Sequence, residues 1–405
     1  MPQHVRPSLP PAPSAPPVPL APPPPLASPA SGPPPAPRRI VFLARRDLGN
    51  PAAGGSELLV DRIAEGLAAH GDHVTLLCGG PASPELSAPL PRAAATGRGY
   101  RVVSAGGDAG HFLRVPRQFN RRVGDCDLLV EVCNGMPYLA PLWHRGPTVC
   151  LVNHVHTDLW SMRYPAPAAR LGRRLEHWAL AGTHRRNLMV AVSGSTATAL
   201  HGLGVAPDRI RLVHNGVEEP GPLVPEAPEP LFLAMGRLVE YKRIDLLLRL
   251  WERVRPVTGG RLVIVGDGPE RARLTAMAGP DVTFTGHISE HRKHQLLCSA
   301  WLLLHPSLVE GWGLVVMEAA ARHTPAVGFD IPGLRDSVDD GVTGLLARGE
   351  SAFAAHWCSL ALSAHRRHTL GAAAALRAER FRWGHTVRSF RAVAAEALLQ
   401  TLPRR

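Results

Sequence analysis

Short apolar runs that break at glycine-containing loops and pass into helix-periodic segments recur along this chain in two blocks. That alternation restricts it to a parallel α/β architecture. The first block opens with the buried-strand pattern Arg39-Ile40-Val41-Phe42-Leu43, followed by a glycine loop and a periodic helix over about Glu57–Ala69. His73–Leu77 reads as a second strand, and apolar runs at 127–132, 147–152 and 188–192 continue the series. The second block restarts at Leu231–Met235. It predicts a helix over about Arg243–Val254, strands at Arg261–Val265 and Val282–Phe284, a helix near 290–299, a strand at Trp301–Leu304 and a helix over 314–322. Crossovers between parallel strands are right-handed, so each block predicts a doubly wound, Rossmann-like domain. Two such domains leave a cleft between the carboxyl ends of their sheets, where open α/β folds place ligands.

The 405-residue length fits two domains better than one. Residues 1–37 are dominated by Pro, Ala and Ser and hold too little bulky apolar surface to fold. They are expected to be a disordered tail, either a genuine linker or the product of a misassigned start codon. They carry no charged start and apolar core of the kind a secretory signal needs. The expected divisions are 38–212 for the first domain, 213–380 for the second and 381–405 for a C-terminal helix. The break follows the Pro-, Glu- and Gly-rich stretch 218–230, and the Ala-rich, basic segment Thr386–Leu399 predicts the final helix.

A formal net charge of +12 would ordinarily point to nucleic acid, an anionic membrane or acidic substrates. Of 45 basic residues, however, only Lys242 and Lys293 are lysine. A composition rich in Arg, Ala, Pro and Gly resembles coding from a GC-rich genome, and arginine drift inflates the charge. By the same logic a retained lysine is informative. The six cysteines show no paired spacing of the zinc or redox kind and read as reduced, buried thiols. No apolar run reaches the roughly 18 residues a membrane helix needs. The expectation is a cytoplasmic protein, either free or peripheral on the inner face of the plasma membrane.

The strongest motif is Ser307-Leu308-Val309-Glu310-Gly311-Trp312-Gly313-Leu314-Val315-Val316-Met317-Glu318, which leaves a strand, crosses a glycine loop and enters a helix. Gly311 and Gly313 let backbone amides approach a ligand, and the helix start adds unpaired N–H groups, a combination that suits a pyrophosphate. Glu318 can accept two hydrogen bonds from a vicinal diol such as ribose, while Glu310 lies nearer a transferred sugar. The bland alternative is a glycine turn with two solvated glutamates.

A second constellation, Gly236-Arg237-Leu238-Val239-Glu240-Tyr241-Lys242-Arg243, again follows a strand and opens a helix. Arg237 can grip phosphate bidentately and Lys242 can add a point charge. The strand Val263-Ile264-Val265 ends in Gly266-Asp267-Gly268, and Phe284-Thr285-Gly286-His287-Ile288 repeats the pattern, so both could wall a nucleotide. In the first domain Gly54-Gly55-Ser56-Glu57 is either a turn or a second contact to donor phosphates. Asn153-His154-Val155-His156 follows a strand, and a histidine there could orient the sugar. His-x-His also occurs in metal sites, but no further ligands stand at conventional spacing, and no metal is expected. Arg163, Arg170, Arg173 and Arg174 surround Leu171, Leu175 and Trp178 in a stretch that could lie on an anionic membrane or be a solvated helix.

Together these segments resemble glycosyltransferase family 4 over roughly residues 38–350. The resemblance rests on Gly54-Gly55-x-Glu57, Val192-Ser193, His214-Asn215-Gly216-Val217, Gly236-Arg237 with Lys242, Gly266-Asp267-Gly268, and Glu310 with Glu318. It implies the GT-B fold and a retaining, metal-independent transfer of a sugar from a nucleotide-sugar donor to a carbohydrate, lipid-linked or small-molecule acceptor. Under it, Arg237 and Lys242 contact the diphosphate, Glu318 the ribose and Glu310 the sugar. Asn215, Gly311, Trp312, Gly313, Leu314 and Ile288 join the donor-binding set with the glycines above. Family members often carry a histidine after the strand matched to Thr148–Val152, where this chain has Asn153 followed by His154. The resemblance implies a front-face mechanism in which the leaving diphosphate takes the acceptor's proton. It also implies a final helix that crosses back to the first domain. A nucleotide-sugar epimerase of the same fold and a non-catalytic binding protein are the alternatives. No cofactor and no nucleic-acid partner are expected.

Overall fold

Strands such as Ile40-Val41-Phe42-Leu43 have apolar residues at consecutive positions, and all four are buried, which requires cover on both sheet faces. The computed structural model describes residues 36–50, 52–79, 99–106 and 110–400, apart from the side chains of Asp158 and Arg163. The tail expected over residues 1–37 therefore falls almost entirely outside the described residues.

The first sheet has seven parallel strands in the order β3-β2-β1-β4-β5-β6-β7. They are β1 (Arg39–Ala44), β2 (His73–Cys78), β3 (Arg101–Ser104), β4 (Leu128–Asn134), β5 (Thr148–His154), β6 (Leu188–Ala191) and β7 (Ile210–Leu212). The second has six parallel strands in the order β10-β9-β8-β11-β12-β13. These are β8 (Leu231–Met235), β9 (Arg261–Val265), β10 (Val282–Gly286), β11 (Leu302–His305), β12 (Ala326–Phe329) and β13 (Gly344–Ala347). In both sheets the winding direction reverses once, between β1 and β4 and between β8 and β11. Each reversal leaves a crevice at the strands' carboxyl ends.

One face of the first sheet is covered by α1 (Gly55–Ala69) and α13 (Trp383–Gln400), whose Leu59, Ile63, Phe390 and Ala394 share a core with Ile40 and Phe42. The other face carries α2 (His111–Arg122), α5 (Gly194–Gly202) and the turn Trp178–Thr183 that continues α4 (Ala166–His177). A short α3 (Thr157–Arg163) precedes α4. In the second domain α6 (Ile244–Thr258) and α11 (Glu350–Ala361) cover one face, with Trp251 and Trp357 stacked at 5.7 Å. The opposite face is covered by α8 (Glu290–Ser299) and α9 (Leu314–Ala320). The remaining helices are α7 (Arg271–Ala276), α10 (Pro332–Ser337) and α12 (Ala364–Ala378).

The chain returns to the first domain after α12. Val217 N donates to Phe381 O at 2.7 Å, Thr386 Oγ1 donates to His214 O at 2.9 Å, and Arg211 Nε donates to Glu396 Oε2 at 2.8 Å. α13 then runs along α1. The two domains also touch across the cleft. Ser195 N donates to Asp336 Oδ2 at 3.0 Å and Ser195 Oγ to Pro332 O at 2.7 Å.

Several elements depart from the sequence reading. α6 runs four residues past Val254, through Pro256, and stops at Gly259 in the left-handed region, φ 62°. It also starts later, at Ile244. Arg243, itself at φ 51°, is held there by an ion pair to Glu350 at 2.5 Å. β11 is shifted by one residue toward His305.

Candidate functional site

The loop after β8 and the loop after β11 flank the winding reversal of the second sheet, and their side chains meet there. A turn of 3-10 helix over Glu240–Lys242 points Lys242 across to Glu310. Leu308 N donates to Tyr241 O at 2.9 Å and ties the two loops together. Lys242 Nζ donates to Glu310 Oε1, and His305 Nε2 lies 2.6 Å from the same oxygen. Ser307 Oγ stands 3.2 Å from His305 Nε2. Burial alone pushes the Glu310 carboxyl up. The Lys242 ammonium and the His305 ring outweigh it, so the carboxyl sits well below the usual carboxylate range.

Gly236, Arg237, Lys242, His305 and Ser307 line a small recess that is open to solvent. Arg237 is exposed and donates from Nη2 to Tyr241 Oη at 3.1 Å. His305, which in the sequence merely ends an apolar run, is thus part of the site. Its signal was its place as the last residue of a strand whose loop carries Glu310.

Glu318 is on α9 and reaches α8 instead of the recess. Lys293 Nζ donates to Glu318 Oε1 at 2.9 Å and also pairs with Glu290 at 2.8 Å. Burial alone pulls Lys293 down, but the two carboxylates outweigh it and raise its pKa. Lys293, marked in the sequence only as one of the two retained lysines, is 17% exposed and bound to a motif residue.

The glycines have unequal jobs. A Cβ on Gly311 would stand 2.2 Å from Asn153 O and 3.8 Å from His154 Cβ, so the end of β5 presses directly on the Glu310 loop. A Cβ on Gly55 would lie 3.4 Å from Leu314, which brings the start of α1 opposite the start of α9. Gly313 has φ 80° and caps α9, a helix of only seven residues. Gly266 and Gly268, read as walls of a nucleotide site, are also held by packing. A Cβ on either would come within 2.4 Å of the Gly236 or Leu238 carbonyl, because the β8 and β9 loops stack backbone on backbone. Ile288 packs partly buried against the α8 and α9 core.

Gly54 N donates to Glu57 Oε2 at 2.8 Å, so the glutamate of Gly-Gly-x-Glu caps α1. Asn134 Nδ2 donates to Ser56 Oγ at 3.1 Å beside it. His154 sits at the cleft end of β5, its ring 5.5 Å from that of His156. His156 N in turn donates to the buried Glu176 at 2.5 Å.

Two residues of the expected donor set turn inward. The Trp312 side chain is 2% exposed and packs on Phe381 at 5.3 Å, because its loop crosses the returning chain. Asn215 is buried on the same crossover, next to His214, whose pKa burial pulls down.

With this geometry in hand, the comparisons with known proteins are specific. The profile of Glycosyltransferase Family 4 matches residues 53–219, and that of Glycosyl transferases group 1 matches residues 229–362. A D-inositol 3-phosphate glycosyltransferase of Rhodococcus erythropolis is 32% identical over 278 residues, covering 61% of this chain and 60% of that protein. The enzyme of the same name from Kribbella flavida is 34% identical over 208 residues, covering 50% and 47% respectively. This chain thus spans less than two thirds of these relatives' length. Among solved structures, the sucrose-phosphate synthase of Thermosynechococcus elongatus superposes with a TM-score of 0.73 at 21% identity, covering 90% of this chain and 100% of that one. Anabaena HepE in complex with UDP and glucose gives 0.69 at 18%, covering 89% and 100%. At these identities the two structures establish a shared fold of paired Rossmann-like domains.

Proposed function

The chain belongs to glycosyltransferase family 4, and on that premise we propose that it moves a sugar from a nucleotide-sugar donor to an acceptor with retention at the anomeric carbon. The observation that carries the reading is the Lys242–Glu310 pair at the winding reversal of the second sheet, with Arg237 on the same recess. A reacting diphosphate needs cations that are already in place, and an ammonium fixed by an ionised carboxylate cannot swing away into water. Lys242 has three donors and uses one on Glu310, which leaves two for phosphate oxygens. Arg237, exposed and lightly held, can close on the diphosphate bidentately.

Glu310 uses Oε1 for both Lys242 and His305, so Oε2 is the oxygen for a sugar hydroxyl. Glu318 likewise uses Oε1 for Lys293 and keeps Oε2 for the ribose. His154, at the opposing strand end, borders the sugar from the first domain. The carbon–oxygen bond to the diphosphate breaks as the acceptor oxygen attaches on the same face. The acceptor's proton passes to the departing phosphate oxygen. No metal is required in this scheme, because Arg237 and Lys242 supply the positive charge. That the HepE structures hold UDP and UDP-glucose supports a nucleotide-sugar donor.

The test is to incubate the chain with a panel of nucleotide sugars and measure nucleoside diphosphate release, with and without acceptors, in chelator. Acceptor-dependent release unaffected by chelator is expected. Failure of every nucleotide sugar to bind would overturn the proposal, and conversion of the donor to a different nucleotide sugar with no net release of nucleoside diphosphate and no acceptor would assign an epimerase.

A further inference from the structure

The first sheet's two faces differ in what covers them, and the face opposite α1 and α13 is unusual. Leu129, Glu131 and Cys133 pair in register with Thr148, Cys150 and Val152, so α2, which packs over Leu129, and the turn Trp178–Thr183 continuing α4, whose Leu180 packs with Cys133 and Cys150, lie on one face, with α4 itself packed on α3. Between His111 and Gly124 the sequence has four arginines and no acid. Between Gly135 and Asn187 the only acids are Asp158 and Glu176. Glu176 is fully buried, accepting from His156 N at 2.5 Å and Trp160 Nε1 at 3.0 Å.

The layer is also apolar where it meets solvent. Leu113 is 84% exposed, Leu142 61% and Leu171 59%. Met162, Leu175 and Trp178 are each close to half exposed. On α4 the positions Leu171, Leu175 and Trp178 follow one another at helical spacing and form a stripe. Ala169, Gly172 and Glu176 are buried, the last two against Trp160 of α3, and Arg170, Arg174 and His177 flank the stripe on its other side. A helix buried on one side normally shows water a charged face. This one shows water a leucine stripe beside an arginine stripe.

We propose that this layer docks the protein on an anionic lipid surface, with the arginines on lipid phosphates and Leu113, Leu171, Leu175 and Trp178 in the headgroup boundary. An interfacial helix needs this combination of apolar stripe, basic flank and aromatic rim. Nucleic acid has no use for an exposed aliphatic stripe. A symmetric contact with a second copy would set arginines against arginines with Asp158 as the one further acid of the segment to offset them, and like-charge juxtaposition across an interface costs several kcal/mol. The inference uses neither the Lys242–Glu310 recess nor the donor.

The experiment is co-sedimentation of the full chain with vesicles of phosphatidylcholine alone and of equimolar phosphatidylcholine and phosphatidylglycerol. The protein should pellet with the anionic vesicles only, and less as salt is raised. Arg170→Gln and Arg174→Gln should each weaken association about fivefold, the effect of one basic residue near such a surface. Leu171→Gln with Leu175→Gln should weaken it about tenfold or more, and Arg253→Gln on the second domain should not. All these side chains are exposed, so unchanged thermal unfolding of the variants checks their folding. Equal binding to neutral vesicles, wild-type binding by the leucine variant, or a dimer that this variant dissociates would each overturn the proposal.

Discussion

Lys293 donates to Glu318 across 2.9 Å, and the only other lysine in the chain, Lys242, donates to Glu310. Both glutamates of the motif are therefore held by a lysine from a different element, in a protein that otherwise uses arginine. A guanidinium is a wide planar fork, while an ammonium is a compact point charge that fits between Glu290 and Glu318. Lys293→Ala should leave Glu318 partly buried without its partner, a loss of about 1.5–3 kcal/mol for a charged hydrogen bond. Steady-state kinetics should show the donor KM raised about tenfold or more with kcat changed less, and Lys293→Arg should recover only part of it. An unchanged donor KM would remove Glu318 from the donor site.

Lys242→Ala acts on the other glutamate and on the leaving group at once. Loss of one preorganised donor to developing charge costs about a hundred- to a thousandfold in kcat. The expected signature is a fall in kcat larger than any rise in donor KM, seen in initial-rate measurements over a range of donor concentrations. Arg237→Ala should cost less than Lys242→Ala, because Arg237 is exposed and held only by Tyr241.

Glu310 also predicts a pH dependence. Its folded-state pKa lies below its unfolded value of about 4.3, so the stability it contributes is present above that pH. That stability is lost as pH falls toward the depressed folded value. In wild type, donor binding should therefore persist through pH 5 without an acid limb from this residue. In Lys242→Ala only His305 offsets the burial, the Glu310 pKa rises, and donor affinity measured by calorimetry should begin to fall at higher pH than in wild type.

The strands β1, β2, β4, β5, β6 and β8 to β11, and the glycine loops at several of their ends, were legible in the sequence because both-face burial leaves consecutive apolar runs such as Ile40–Leu43. The pairing of Lys293 with Glu318 was not. The two stand 25 residues apart on α8 and α9, and only the insertion of β11 between those helices brings them together. The burial of the Trp312 side chain was hidden for a different reason. Its neighbours Gly311 and Gly313 mark a ligand loop, but the partner that buries it, Phe381, arrives from the returning chain. β12 and β13 have four residues each, too few for a period to register, and the alanines of α12 blur its apolar face.

Gly66 tests the docking of α13. A Cβ there would lie 2.4 Å from Val387 Cγ2, and a β-branched side chain on a helix has little freedom to turn aside. Gly66→Ala should therefore destabilise the protein by about 1–3 kcal/mol despite the better helix propensity of alanine. Adding Val387→Ala should recover much of the loss in denaturant unfolding. Additive losses in the double variant would show that the two helices do not share this contact.

Gly311 tests the cleft. A Cβ at this position would meet the Asn153 carbonyl at 2.2 Å, and a backbone atom cannot yield as the end of a flexible side chain can. The clash in Gly311→Ala can be relieved by parting the β5 end from the Glu310 loop, at the contact that brings His154 next to the proposed sugar position. Each domain keeps its own core, so thermal unfolding should shift little. Turnover should fall about a hundredfold, the order expected when a reacting group is displaced by about 1 Å. A variant that keeps full activity would show that His154 and the Glu310 loop act independently of each other.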